Sequence, residues 1–312
     1  MALDSAVRSA LQLGSDIDAL VEAHGSSGFA STSKITVSDG RTFFMKTGSG
    51  DAARVMFEGE FESLNALHAV DETLCPCARA RGELAANPNT FFLVTDFLTM
   101  TSSPATGRSL ASKLALLHTT PAPPDVGGRF GFTVRTCCGA TAQPNGFCTT
   151  WAEFFATNRL RFIMSECESA HGSDADLRAL VERTADIVVP RLLGALDITP
   201  AVVHGDLWSG NKGRARIGNA ADVEEIVFDP STCYGHSEYD HGIMRMFGGF
   251  GSSFWEEYHA LCPKTSPESE YDDRVALYEL YHHLNHHALF GGYRSGTVSI
   301  MRRLLSKYDQ SE

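Results

Sequence analysis

Residues Val202–Asn211 read VVHGDLWSGN, and the spacing inside this stretch governs how the rest of the chain is understood. Two β-branched residues lead into His204, Gly205 and Asp206, and Asn211 follows the Asp by five positions. An aspartate able to take a hydroxyl proton, followed at this interval by an asparagine able to hold a divalent cation, is the order used by phosphoryl-transfer loops. Eighteen positions beyond Asn211, the apolar run EEIVFDP ends in Asp229, a second carboxylate suited to the same cation. One group for the nucleophile and two for the metal form a minimal set, because positioning and charge neutralisation supply most of this catalysis. His-Gly-Asp alone is also a common turn, so Asn211 and the strand-borne Asp229 give the triplet its weight.

Upstream, residues 1–24 carry the periodicity of an amphipathic helix, and Gly25–Gly28 (GSSG) follows. The spacing is not G-x-G-x-x-G, and a flexible turn is one reading of it. The other is a phosphate-covering loop, since a strand–turn–strand pattern follows through Phe29–Val37, Asp39-Gly40 and Arg41–Lys46. Alternation in that second strand puts Phe44 and Lys46 on one face. A lysine there is either solvated or placed to contact phosphates while paired with a glutamate of the next helix. On the helix expected over Ala53–Val70, Glu60 shares an inward stripe with Met56, Leu64 and Leu67, whereas Glu58 shares a polar one with Glu62. Glu60 is therefore the expected partner. Thr90–Leu98 (TFFLVTDFL) reads as a buried strand interrupted by Asp96.

Beyond a polar connector at Met100–Arg108, helical patterns cover Leu110–His118, Trp151–Met164, Asp176–Leu196, Arg274–Phe290 and Ser299–Tyr308. Trp208 sits between Asp206 and Asn211, where an aromatic plane serves either as packing or as a platform for the apolar face of a sugar. His236, Glu238 and Asp240 suit acceptor contacts, or equally caps, turn bonds and a buried ion pair. His282, His283, His286 and His287 form two i,i+4 pairs without the glutamate of an H-E-x-x-H zinc motif, so helix-surface and core roles are expected.

A formal charge of −12 excludes nucleic acid as an expected partner, because such binding rests on cations displacing counterions. The N-terminal stretch carries Asp4, Asp16 and Asp18 and lacks the apolar core of a signal peptide, and no run approaches the length of a membrane span. A cytoplasmic location is expected, with the eight cysteines as free thiols.

Several stretches are more specific than the catalytic triplet: GRFGFTVRTCCG at Gly128–Gly139, WAEFFATNRL at Trp151–Leu160, and FDPSTCYGHSEYDHGIMRMFGGF at Phe228–Phe250. With HGDLWSGN, and with FFMK at Phe43–Lys46 and MFEGEFESLNAL at Met56–Leu67, the chain resembles the ketosamine-3-kinase (fructosamine-3-kinase) family. That family lies within the aminoglycoside-phosphotransferase and protein-kinase-like superfamily. The resemblance implies an α+β, two-lobed, protein-kinase-like fold, with a nucleotide-binding lobe over residues 1–98 and a catalytic and substrate-binding lobe over 99–312. It implies ATP-dependent phosphorylation of the 3-hydroxyl of ketosamines, free or protein-bound, leading to deglycation.

Carried onto this chain, the pattern makes Asp206 the base, Asn211 and Asp229 the magnesium ligands, and Lys46 with Glu60 the phosphate grip. Gly25 and Gly28 fall in the covering loop, and adenine is expected along Asp96–Leu98 with Thr95 behind it. Trp208, His236 and Glu238 are the substrate-side candidates. Many members carry a cysteine in the covering loop, where this chain has Phe29. Two alternatives stand beside this reading: a kinase for another amino-alcohol of the aminoglycoside or choline type, and an inactive module that binds glycated proteins.

Overall fold

The computed structural model describes residues 2–309 except Ser27 and Phe29, with Ser26 described in its backbone alone. The loop position Phe29 therefore lies outside the described residues. In chain order the strands are β1 (Ala19–Ser26), β2 (Ser31–Val37), β3 (Thr42–Ser49), β4 (Ala78–Glu83), β5 (Thr90–Asp96), β6 (Leu98–Met100), β7 (Thr136–Cys138), β8 (Thr141–Gln143), β9 (Ala201–Val203), β10 (Lys212–Ile217), β11 (Glu224–Val227) and β12 (Cys233–Gly235). The helices are α1 (Ser5–Ala10), α2 (Gly50–Val70), α3 (Leu110–Thr119), α4 (Trp151–Phe155), α5 (Phe162–His171), α6 (Ala175–Arg183), α7 (Val189–Leu193), α8 (Tyr239–Phe247), α9 (Ser252–Leu261), α10 (Tyr271–Phe290) and α11 (Arg294–Tyr308). Two compact units result: Met1–Lys113 with Val134–Ala142 and Gly210–Ser231, and Leu114–Thr133 with Gln143–Ser209 and Thr232–Glu312. A β-rich unit and a mostly helical one are the parts of a protein-kinase-like fold.

In the β-rich unit, five strands pair antiparallel in the order β1-β2-β3-β5-β4. The turn at Asp39-Gly40 closes the β2–β3 hairpin, with Gly40 at φ 93° and its N–H donating to Val37 O at 2.9 Å. Alternation then sorts β3: Phe43 and Met45 enter a core with Val7, Leu11, Val21, Ile35 and Val94, leaving Phe44 and Lys46 for the other face. On α2 the buried positions Ala53, Phe57, Glu60, Leu64 and Leu67 recur at helical spacing and form a single stripe. Gly59 on that helix lets the backbone of Arg135 come close, since a Cβ there would lie 2.5 Å from Arg135 O.

The helix expected over residues 1–24 is not what forms. Only α1 is helical, capped by Asp4, whose side chain accepts from Ala6 N at 2.8 Å. A turn follows, with Gln12 at φ 54°, and residues 19–26 become strand β1, pairing Val21 with Ile35. The apolar spacing suits either element, and the antiparallel ladder prevails because it satisfies the backbone through a distant partner.

A second sheet of the same unit has the order β11-β10-β6, pairing Ala215 with Met100 and Lys212 with Val227. Fully buried Lys113 braces it, donating to Glu224 at 2.5 Å, Thr73 O at 2.8 Å and Glu225 O at 3.0 Å. Its three donors are thus all used, which is what makes a buried ammonium tolerable.

In the helical unit, Gly242 of α8 packs so closely on α10 that a Cβ would meet Glu279 N at 2.6 Å. The short buried pair β9–β12 matches Val203 with Cys233 just ahead of His204. Among the described residues no helix is long and apolar enough to cross a membrane.

Candidate active site

Within the β-rich unit, the unburied face of β3 and the buried stripe of α2 meet at an ion-pair cluster. Lys46 Nζ donates to both Glu60 oxygens, at 2.8 and 2.9 Å, and to Asp229 Oδ1 at 2.7 Å. Burial works against the Lys46 ammonium, but the two carboxylates outweigh it and hold its pKa above the ordinary lysine value. Burial pushes Glu60 up to about 6 against the pull of Lys46, and the Asp229 carboxylate adds to the rise. The side chains of Lys46 and Glu60 are mostly buried, whereas that of Asp229 is 51% exposed.

Strand pairing explains why Asp229 and Asn211 are neighbours. Asn211 immediately precedes β10, Asp229 follows β11, and the antiparallel register closes with Phe228 N donating to Asn211 O at 3.1 Å. Asp229 sits at φ 54°, a left-handed conformation tolerated by aspartate better than by most residues and concentrated at functional sites. An amide oxygen and a carboxylate are hard oxygen donors, the chemistry that magnesium takes.

The cluster lies on the wall of a cavity of about 380 Å³. His24, Gly25 and Thr32 of the β1–β2 hairpin border it, as do Thr95, Asp96 and Leu98 at the exit of β5. Gly25 adopts φ 77°, and Thr32 Oγ1 donates to His24 O beside it. The Asp96 side chain is occupied by Arg79, at 2.8 and 2.9 Å. Gly28 has open space where a Cβ would project and is absent from the cavity wall. A larger cavity of about 490 Å³ in the same unit is lined by Phe43, Arg41 and Arg79; it belongs to the other face of β3 and lacks the lysine–carboxylate set.

The HGD loop of the helical unit is held differently. Gly205 takes φ 81°, and buried Asp240 accepts from His204 N at 2.8 Å and Gly205 N at 2.7 Å. His118 Nε2 lies 3.1 Å from the same carboxylate, and His118 Nδ1 lies 2.7 Å from the Tyr258 hydroxyl. Burial raises the Asp240 pKa, yet the hydrogen bonds and neighbouring imidazoles more than offset it and leave the group below the usual carboxylate range. Asp240 is thus an ionised post for the loop backbone that presents Asp206. The sequence reading named Asp240 as a polar member of a run; its distance of 35 positions from Gly205 concealed the role. Asp206 itself is half-buried, with its N–H donating to His204 Nδ1 at 3.2 Å. Trp208 is 38% exposed and lies against Phe247, ring centroids 5.6 Å apart.

His236 and Glu238, candidates for acceptor contact, are both buried inside the helical unit. His236 uses both nitrogens, with Tyr278 OH at 2.7 Å and Thr265 Oγ1 at 2.8 Å, and burial lowers its pKa to about 4. Glu238 accepts two bonds from Arg274, at 2.6 and 3.0 Å, and one from Thr265 N at 2.8 Å. The buried ion pair, open as an alternative in the sequence, is the use this geometry makes of Glu238. In place of substrate contact, the two residues tie the start of α8 to α10.

A lysine–glutamate pair on strand and helix, a carboxylate after the second sheet and an HGD loop braced from below define a protein-kinase-like phosphotransferase. The fructosamine kinase family model matches residues 5–307. The chain is 35% identical over 303 residues to a ketosamine-3-kinase of Mus musculus, covering 90% of this chain and 94% of the relative. It is 33% identical over 267 residues to a chloroplastic protein-ribulosamine 3-kinase of Arabidopsis thaliana, covering 84% and 76%. In fold it resembles a candidate fructosamine-3-kinase from Haemophilus somnus 129PT, with a TM-score of 0.77 at 23% identity and 97% of each chain covered. Aminoglycoside phosphotransferase APH(4)-Ia follows the same fold at a TM-score of 0.56 and 13% identity, over 96% of this chain and 98% of that one. The chain belongs to the fructosamine kinase family.

Proposed function

We propose that the enzyme transfers the γ-phosphoryl group of ATP to the 3-hydroxyl of a ketosamine, a step that leads to release of the amine and so to deglycation. The single observation that carries the reading is the Lys46–Glu60–Asp229 cluster on the wall of a cavity bordered by the β1–β2 hairpin. Lys46, oriented by Glu60, grips the phosphates; Gly25 and Gly28 let the hairpin backbone approach them; the backbone from Asp96 to Leu98 takes the adenine, with Thr95 behind it. Asn211 and Asp229 hold magnesium, which when bound neutralises phosphate charge. Lys46 then exchanges its bond to Asp229 for one to phosphate, keeping Glu60.

Asp206 accepts the proton of the acceptor hydroxyl as its oxygen bonds to phosphorus. The bond from phosphorus to the β,γ-bridging oxygen breaks, and ADP leaves with that electron pair. Trp208 offers its exposed face to the sugar. The names of the mouse and plant relatives support a ketosamine acceptor. A cytoplasmic setting is part of the reading and is supported by eight free cysteines.

The test is a product map. Purified protein is given ATP and Mg²⁺ with fructosamine, ribulosamine and aminoglycoside acceptors, and the phosphate is located by phosphorus–proton correlation NMR. Phosphate on the third carbon of a ketosamine is expected. Transfer to the aminoglycoside alone, or nucleotide binding with no transfer to any ketosamine, overturns the proposal.

A further inference from the structure

From Trp208 an aromatic row leads away from the catalytic loop across the surface of the helical unit. Trp208 meets Phe247 at 5.6 Å, Phe247 meets His286 at 5.2 Å, and His286 meets Phe290 at 5.7 Å and Tyr293 at 5.2 Å between ring centroids. Trp208 and Phe247 are each 38% exposed and Phe290, at the last position of α10, is 66% exposed. Burial holds His286 below the ordinary histidine value. Large rings left contiguous in water are a cost to an isolated chain, and such patches mark binding surfaces.

The start of the row is built rather than incidental. Gly248 ends α8 at φ 65°, and Gly249 at φ 88° passes so near Ser209 that a Cβ would lie 2.5 Å from the Ser209 Cβ. The two glycines thus set Phe247 beside Trp208 on the loop that carries Asp206. In the function proposed above the ketose takes the exposed face of Trp208, and Phe290 and Tyr293 stand further along the row.

Resting on the function proposed above, we infer that the row formed by Trp208, Phe247, His286, Phe290 and Tyr293 is a docking surface for the polypeptide flanking a ketosamine-modified lysine, selective for apolar or aromatic neighbours. Its continuity with the loop that carries Asp206 argues for an acceptor-side occupant, and its unbroken run of ring contacts argues for an apolar one.

The test compares ribulosamine-modified lysine as the free, Nα-protected amino acid with hexapeptides carrying it between Phe and Leu or between Gly and Ser. The apolar peptide is expected to show a KM at least fivefold below that of the Gly/Ser peptide, at similar kcat. The exposed variant Phe290→Ser should remove most of this preference, while the free amino acid keeps its kcat/KM within about twofold, as expected for a surface change. Equal KM values for the two peptides, or a preference that persists in Phe290→Ser, overturn the inference while turnover of the free amino acid leaves the kinase reading standing. Sedimentation of both proteins provides a further arm: a dimer of the wild type that dissociates on Phe290→Ser means that the row is covered by a second copy, and also overturns it.

Discussion

The two units hold their functional carboxylates in opposite ways. In the β-rich unit, Lys46, Glu60 and Asp229 touch one another directly, side chain to side chain, within 3 Å. In the helical unit, Asp206 is carried on a loop whose backbone is gripped by Asp240, a fully buried residue tied to His118 and through it to Tyr258. The first arrangement is the more exchangeable, since Asp229 is half in water and solvent can replace its bond to Lys46. The second is a fixed post, because Asp240 accepts from two backbone donors and one imidazole with no solvent to replace them. In the proposed function the two kinds of support serve different ends, exchangeable charges for the nucleotide and a fixed base for the acceptor.

Substitutions separate the two. The largest effect is expected from Asp206→Asn, which removes the proposed proton acceptor and leaves the fold: turnover should drop roughly 100- to 10,000-fold with an unchanged melting temperature. Steady-state kinetics beside a thermal melt checks this, and near-normal turnover would remove Asp206 from the role of base.

Asp240→Asn comes next, because the amide keeps one acceptor oxygen where the carboxylate offers two. Turnover should decline on the order of 10- to 100-fold, and stability should fall by about 2 kcal/mol, the scale of a lost charge-assisted hydrogen bond. A purely catalytic loss without destabilisation would mean that the post is not what holds the loop.

Glu60→Gln sharpens the contrast from the other side. It loosens one end of the exchangeable cluster, leaves Asp229 in place, and should raise the KM for ATP about tenfold while changing kcat less. Equal loss in both parameters would place Glu60 in the fixed class with Asp240.

The smallest effect at neutral pH lies in proton linkage. His236, with a pKa of about 4 in the folded protein, takes up protons more readily when unfolded, where a histidine titrates near 6.5. His282, fully buried and lowered to about 3, acts with the same sign. Stability from both is complete above pH 6.5 and is lost as pH falls toward 4, by up to about 3 kcal/mol for His236. Melting temperatures measured from pH 7.5 to 4.5 should therefore decline, and His236→Asn should flatten the slope. A wild-type melting temperature that stays level over that range refutes the linkage.

Local pattern carried a good part of the geometry around Lys46. Alternation in β3 put Lys46 with Phe44, helical spacing on α2 turned Glu60 rather than Glu58 inward, and the two periodicities meet in the ion pair between them. The interval from Asp206 to Asn211 and the strand before Asp229 were equally open to reading. The N-terminal segment was not, because its apolar residues suit a helix and a strand alike and the β2 partner settles the matter. His236 and Glu238 misled for a related reason: a polar run in a glycine-containing segment looks exposed until α10 supplies Tyr278 and Arg274. Lys113 gave no signal at all, being one lysine on an ordinary helix whose burial depends on Glu224 and two carbonyls from other segments.

What can be recovered from residue order is therefore the candidate chemistry: which side chains have the donors and acceptors such a site needs, and which of them share a strand or helix face. Residue order does not reveal that β10 and β11 fold back onto β6, that Asn211 comes to lie beside Phe228 and Asp229, or that Asp240 reaches His204 and Gly205. Those outcomes depend on partners far apart in the chain, and a backbone amide or a buried carboxylate has no identity in sequence until folding removes water and leaves it one neighbour to bond.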